Sequence, residues 1–150
     1  MTSKQTIRRS IGSLIGQAGR QWRRSVNRRL DPFDLTEATW LPLLHLARAR
    51  SPMRQKDLAR SLSVDSSSVV RILDSLEEAG LVERKEEETD RRAKILHLTR
   101  RGKETVRKVE AVARDVRNEA LAGISEEDLA TAFRVLRQIS AKLDPEESAS

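Results

Sequence analysis

Residues 58–85, LARSLSVDSSSVVRILDSLEEAGLVERK, decide the fold. Leu58, Ala59 and Leu62 lie at helical spacing on a short segment, and the stretch from Ser63 to Asp65 breaks it. From Ser66 a second helix is predicted to run to about Ala79, because Val69, Ile72, Leu73 and Leu76 fall on one face of a 3.6-residue period. Gly80 follows where a helix end needs a left-handed residue. Leu81 to Lys85 and Ala93 to Leu98 then read as two strands, joined by the polar run Glu86 to Arg92. A short helix, a tight turn, a second helix and a charged hairpin together make a winged helix-turn-helix. In that arrangement the second helix is offered to the major groove of DNA.

Working outward, the segment before this module carries Ile7, Ile11, Leu14, Ile15, Ala18, Trp22, Val26 and Leu30 at spacings of three and four, one apolar helical face. Gly12, Gly16 and Gly19 interrupt it, and each costs about 1 kcal/mol against Ala, so a closely packed partner helix is expected there. Asp31, Pro32 and Asp34 break the chain. Thr36 is predicted to cap a helix from Glu37 that holds Trp40, Leu43, Leu44 and Ala47, with Pro42 expected to kink it or delay its start. After Thr99, Val106, Val109, Ala113, Val116 and Ala120 recur at alternating three- and four-residue spacing. Leu129, Phe133, Leu136 and Leu143 continue past a break at Gly123 and Ser125, predicting a coiled-coil-like helix pair. Asp144 to Ser150 reads as a tail. The expected fold is mainly α with a small β-hairpin wing, in 150 residues: a dimerisation helix over 1–34, the winged module over 35–100, dimerisation helices over 101–143 and a tail over 144–150.

Hydrophobic residues make up 37% and charged residues 35% of the chain, a balance that suits long amphipathic helices. A net charge of +6 favours a polyanionic partner, since Lys and Arg release condensed counterions when they neutralise phosphates. With no cysteine, a disulfide framework, a thiolate zinc site and a thiol redox sensor are excluded. His45 and His97 alone are a thin imidazole supply for a metal site or a nucleophile–base pair, so no metal or other cofactor is expected. No phosphate-binding glycine loop or Ser-His-Asp set is present either, and an enzyme is not expected. No stretch is apolar enough for a membrane span and the N-terminus does not read as a signal peptide, so the expected location is cytoplasmic, with no membrane partner.

Ser66, Ser67, Ser68, Arg71 and Ser75 fall mainly off the apolar face of the second helix, leaving hydroxyls and a guanidinium for phosphates and base edges. Any one of these serines reads equally well as a helix cap. Lys85 and Lys94 on the strands and Asp90, Arg91 and Arg92 at the tip complete the candidate DNA-contacting set. Glu86, Glu87 and Glu88 would repel phosphates, which restricts the wing's contact to its Arg92 side.

Leu58-Ala59, Leu62-Ser63-Val64, Val69-Val70-Arg71-Ile72-Leu73-Asp74, Leu76-Glu77, Ala79-Gly80-Leu81-Val82, Arg84, Asp90-Arg91-Arg92 and Leu98-Thr99-Arg100-Arg101-Gly102 together resemble the signature of the MarR family, over residues from about Leu35 to Glu104. The resemblance implies that Arg92 is the minor-groove residue, with Asp90 and Arg91 supporting it, a role that fits the pull of narrow grooves on arginine. It also implies an obligate homodimer of interlocked terminal helices on a double-stranded operator, and the long apolar seams support a dimer independently. Relatives often bind small aromatic acids between the two lobes. Trp22, Phe33, Trp40 and His45, with Arg20, Arg23 and Arg24 nearby in sequence, are the candidate pocket, although an aromatic is more often simple core. The reading is a repressor released from a pseudo-palindromic operator by an aromatic carboxylate; the alternative is a constitutive or architectural DNA-binding protein with no effector.

Overall fold

A serine at position 3 opens the first helix: its side chain accepts from the Thr6 N–H, and α1 runs from Lys4 to Leu30. The computed structural model describes residues 2–90 and 93–145. A 3₁₀ turn over Asp31–Phe33 ends in Asp34, one of two non-glycine residues with positive φ among the described residues. It is followed by α2 (Glu37–Arg48), α3 (Gln55–Leu62), α4 (Ser66–Glu78), β1 (Val82–Glu86), β2 (Lys94–Leu98), α5 (Arg100–Leu121) and α6 (Glu126–Leu143). The chain divides into two compact units, Met1–Val116 and Arg117–Ser150.

Two apolar clusters organise the first unit. Leu43, Leu58, Val69, Leu73, Leu76, Leu81, Val82 and Leu96 join Ala59 and Val106 in the core of the winged module. Val26, Leu30, Trp40 and Leu44 form the other with Val109 and Val116. The α5 seam expected to pair as a coiled coil is therefore used within the chain as far as Val116, because its successive turns face first one cluster and then the other. Ile72, expected in the core, is half-buried and packs at the edge of the first cluster.

The α4 boundaries follow the sequence pattern, with Gly80 at φ +73° just past the helix end. β1 lies one residue later than expected and β2 starts one residue later but ends at Leu98 as expected, pairing antiparallel from Val82 opposite Leu98 to Glu86 opposite Lys94. Thr36 occupies the N-cap position of α2, but its hydroxyl lies 3.5 Å from the Thr39 hydroxyl and makes no capping bond to the backbone. Pro42 sits buried inside α2 without delaying the helix start. A proline there removes one backbone hydrogen bond, to the carbonyl four residues before it, and the helix nevertheless continues on both sides.

The first half of α1 is exposed. Ile7, Ile11, Leu14 and Ile15 lie open, and a Cβ added at Gly12 or Gly19 would meet nothing within 4 Å. The packing expected to offset these glycines is thus not supplied by the described residues of this chain. In the second unit α6 starts at Ser125, whose hydroxyl accepts from the Asp128 N–H. No side chain of α6 is buried, and Phe133, Leu136 and Leu143 are exposed.

Candidate nucleic-acid interface

Burying Val69, Leu73 and Leu76 rotates the opposite side of α4 into solvent. Ser66, Ser67, Arg71 and Ser75 are exposed there and Ser68 is half-buried. Asp65 caps the helix, accepting from the Ser68 N–H at 2.7 Å, and that backbone hydrogen bond holds its carboxyl below the usual range. The cap thus takes up one of the N–H groups that an anion would otherwise find at this helix end.

Period-2 alternation puts Val82 and Arg84 of β1 on the face that meets the core, opposite Leu98 and Leu96. Arg84 therefore points inward, with its side chain only 20% exposed. Its guanidinium bridges Asp74 and Glu77, one turn apart on α4, with Nε 2.8 Å from Glu77, and Nη1 reaches Gln55 of α3 at 3.4 Å. These two carboxylates, Asp74 first, raise the already high pKa of Arg84. One planar five-donor group thus ties the wing to the helix that precedes it. The motif contained Arg84, but its role was not evident from it; alternation with Val82 was the available signal.

Backbone hydrogen bonds also hold the wing. The Leu96 N–H donates to the Met53 carbonyl at 2.9 Å, beside an isolated bridge between Arg54 and Ile95. Arg54 also pairs with Glu87 at 2.7 Å, so one of the three wing glutamates expected to repel phosphates is already neutralised. At the far end of the hairpin Thr99 shows what the Leu-Thr-x-x-Gly motif does. Its N–H donates to the Leu81 carbonyl at 3.1 Å, its hydroxyl donates to the Gly80 carbonyl at 2.6 Å, and the same oxygen accepts from the Gly102 N–H at 3.0 Å. Glycine is required at 102 because a Cβ would stand 2.1 Å from the Leu81 oxygen.

Lys85 and Lys94 are exposed. The Asp90 carbonyl accepts from the Ala93 N–H at 3.1 Å. Arg91 and Arg92 lie outside the described residues.

The candidate effector residues occupy four different environments. Trp40 is buried, and its indole N–H donates to Asn27 at 2.7 Å. Trp22 is exposed, as is Phe33, whose ring lies 5.3 Å below the Lys108 ammonium. The Nδ1 of His45 is 2.6 Å from the Ser61 hydroxyl, and burial, aided by Arg48, lowers its pKa below 6.5. Arg20, Arg23 and Arg24 are exposed on α1, with Arg23 3.4 Å from Glu37 and the Arg20 guanidinium folded back beside Gly16. Among the described residues no cluster of three or more His, Asp or Glu is placed to hold a metal ion, and no helix is long and apolar enough to cross a membrane.

Charge is distributed differently from what the composition suggested. Residues 1–34 contain eight Lys or Arg against two Asp or Glu, whereas residues 35–100 contain twelve against eleven. The winged module is close to neutral, so the general excess of positive charge is not located there.

Comparison with known proteins agrees with this geometry. The family model described as the MarR family matches residues 33–93. The transcriptional regulator PA3341 is 43% identical, with a TM-score of 0.83 over 89% of this chain and 97% of that one. CouR from Rhodococcus jostii RHA1, solved bound to p-coumaroyl-CoA, is 26% identical, with a TM-score of 0.78 over 87% of this chain and 91% of CouR. Wild-type MarR from E. coli in its apo form is 27% identical, with a TM-score of 0.69 over 85% of this chain and 95% of that one. A winged module clamped to its second helix, together with these likenesses, establishes that the chain belongs to the MarR family of DNA-binding transcription regulators.

Proposed function

We propose that the protein is a homodimeric repressor that occupies a pseudo-palindromic operator and leaves it when a small aromatic acid, free or as its coenzyme A thioester, binds. The observation that carries the operator reading is the outer face of α4, where Ser66, Ser67, Arg71 and Ser75 stand exposed while Arg84 fixes the wing beside the same helix. Two such units related by a twofold axis would read half-sites about one helical turn apart. Arg71 is the base-reading residue in this scheme, Ser66, Ser67, Ser68, Lys85 and Lys94 hold phosphates, and Arg92, supported by Asp90 and Arg91, enters the minor groove.

The open apolar stripe of α1 (Ile7, Ile11, Leu14, Ile15) and, separately, that of α6 (Phe133, Leu136) are each available for a second copy to cover. This makes 1–34 and 101–143 dimerisation segments around a DNA-binding module at 35–100. The aromatic effector draws on the likeness to CouR, which was solved with p-coumaroyl-CoA. Trp22, Trp40 and His45, with Phe33 and the arginines at 20, 23 and 24, are the residues this reading assigns to it, although they stand in different environments in the folded chain. Trp40 serves as its inner wall, since its N–H is already bonded to Asn27.

Selection of bound sequences from a random duplex library tests the reading. The expected product is an inverted repeat protected on one face, with release by p-coumarate or p-coumaroyl-CoA followed through Trp fluorescence. Linkage requires operator DNA to weaken the effector by the same factor by which the effector weakens DNA. Recovery of a single asymmetric half-site refutes the dimeric operator, and equal effector affinity with and without operator refutes release.

A further inference from the structure

We propose that Arg54 is a DNA phosphate contact and that Glu87 holds it until a phosphate takes its place. The inference rests on the DNA-binding assignment above, and neither residue belongs to the contact set read from the sequence. Arg54 stands at the N-cap of α3, the first helix of the helix-turn-helix, which in this motif crosses the DNA backbone. Its guanidinium Nη2 is 2.7 Å from Glu87 Oε2, and the two side chains are 39% and 29% exposed, within reach of solvent and of an incoming anion. A carboxylate at that distance offers the same charge and the same acceptor oxygens as a phosphate.

The pair is not needed to attach the wing. The backbone of Arg54 is fixed by its N–H on Asp57 at 2.9 Å and by the bridge to Ile95, and Met53 binds Leu96 next to it. The Glu87 N–H bonds to the Ala93 carbonyl at 2.9 Å, continuing the hairpin ladder, and Arg84 ties β1 to α4 separately. Both backbones therefore stay in place when the side chains part. In residues 35–100, with twelve basic and eleven acidic residues, the loss of one carboxylate raises the net charge from +1 to +2.

The alternative role for Glu87, an anchor for the wing, predicts the opposite sign, which makes the test decisive. Glu87→Gln should bind a labelled random-sequence duplex about two- to fivefold more tightly per protomer, the equivalent of one half-exposed ion pair. The slope of log affinity against log salt should steepen by up to about 0.9 per protomer. Arg54→Gln should bind more weakly, and adding Glu87→Gln to it should give little further gain. Circular dichroism checks that each variant is folded. Unchanged or weaker binding by folded Glu87→Gln overturns the proposal in favour of an anchor. An equal gain with and without Arg54 overturns it in favour of plain charge repulsion. Binding of the duplex by the wild type tests the DNA-regulator assignment separately, so the two failures are distinguishable.

Discussion

Changing Gly102 to Ala should destabilise the protein, although helix propensity alone predicts the reverse. Gly102 lies in the first turn of α5, and a Cβ there would sit 2.1 Å from the Leu81 oxygen and 3.1 Å from its carbonyl carbon. Ordinary contact needs more than a further ångström, and the opposing atoms are backbone, so either the helix start or the Gly80–Leu81 corner must move. The same carbonyl accepts from the Thr99 N–H at 3.1 Å, and the Thr99 hydroxyl binds the Gly80 carbonyl and the Gly102 N–H, so a shift loosens bonds at one junction. Overpacking costs about 1–3 kcal/mol and a lost hydrogen bond about 1 kcal/mol more, against a gain of about 1 kcal/mol for Ala over Gly in a helix. The net expectation is a loss of about 2 kcal/mol, or roughly 4–8 °C in Tm for a chain of this size. Thermal and urea denaturation followed by circular dichroism measure it, at fixed protein concentration because the stability of the proposed homodimer would depend on it. An unchanged or raised stability in Gly102→Ala would refute the close approach.

Arg84→Ala leaves Asp74 and Glu77 facing each other without their shared cation, and should cost about 1–2 kcal/mol of stability given their exposure. It should also weaken operator binding, with Lys at 84 restoring neither fully because a point charge does not span both carboxylates; full rescue by Lys contradicts the clamp. Gly12→Ala and Gly19→Ala should shift sedimentation toward monomer if a second copy packs on α1, whereas an open face would gain about 1 kcal/mol of helix stability from each with no change in mass. Burial lowers the pKa of His45 in the folded state, so its contribution to stability is full above the unfolded value of 6.5 and is lost as pH falls below that. His45→Gln should flatten the stability profile below pH 6.5, and a profile identical to wild type would deny His45 that role. Arg92→Ala should weaken operator binding by about 1–3 kcal/mol with the fold intact, measured by anisotropy, and wild-type affinity in that variant would remove Arg92 from the groove.

Periodicity alone determined where α4 lies and which face it buries, because Val69, Leu73 and Leu76 admit one helical register. Gly80 and the alternation in the strands located the wing to within a residue. These are local properties, carried by neighbours along the chain. Long-range partners were not legible. Asp74, Glu77 and Arg84 all stand in the recognised motif, yet only the folded hairpin turns Arg84 inward onto the two carboxylates. Glu87 read as a repulsive charge until Arg54, 33 residues earlier, was found against it. The α5 pattern looked like a seam for another helix, and the fold divides it between two cores of the same chain as far as Val116. The +6 charge pointed to nucleic acid, but most of that excess belongs to residues 1–34 rather than to the winged module over 35–100. Apolar spacing dictates a face because burial acts on each residue separately, whereas an ion pair exists only once tertiary packing has brought two distant side chains within hydrogen-bond range.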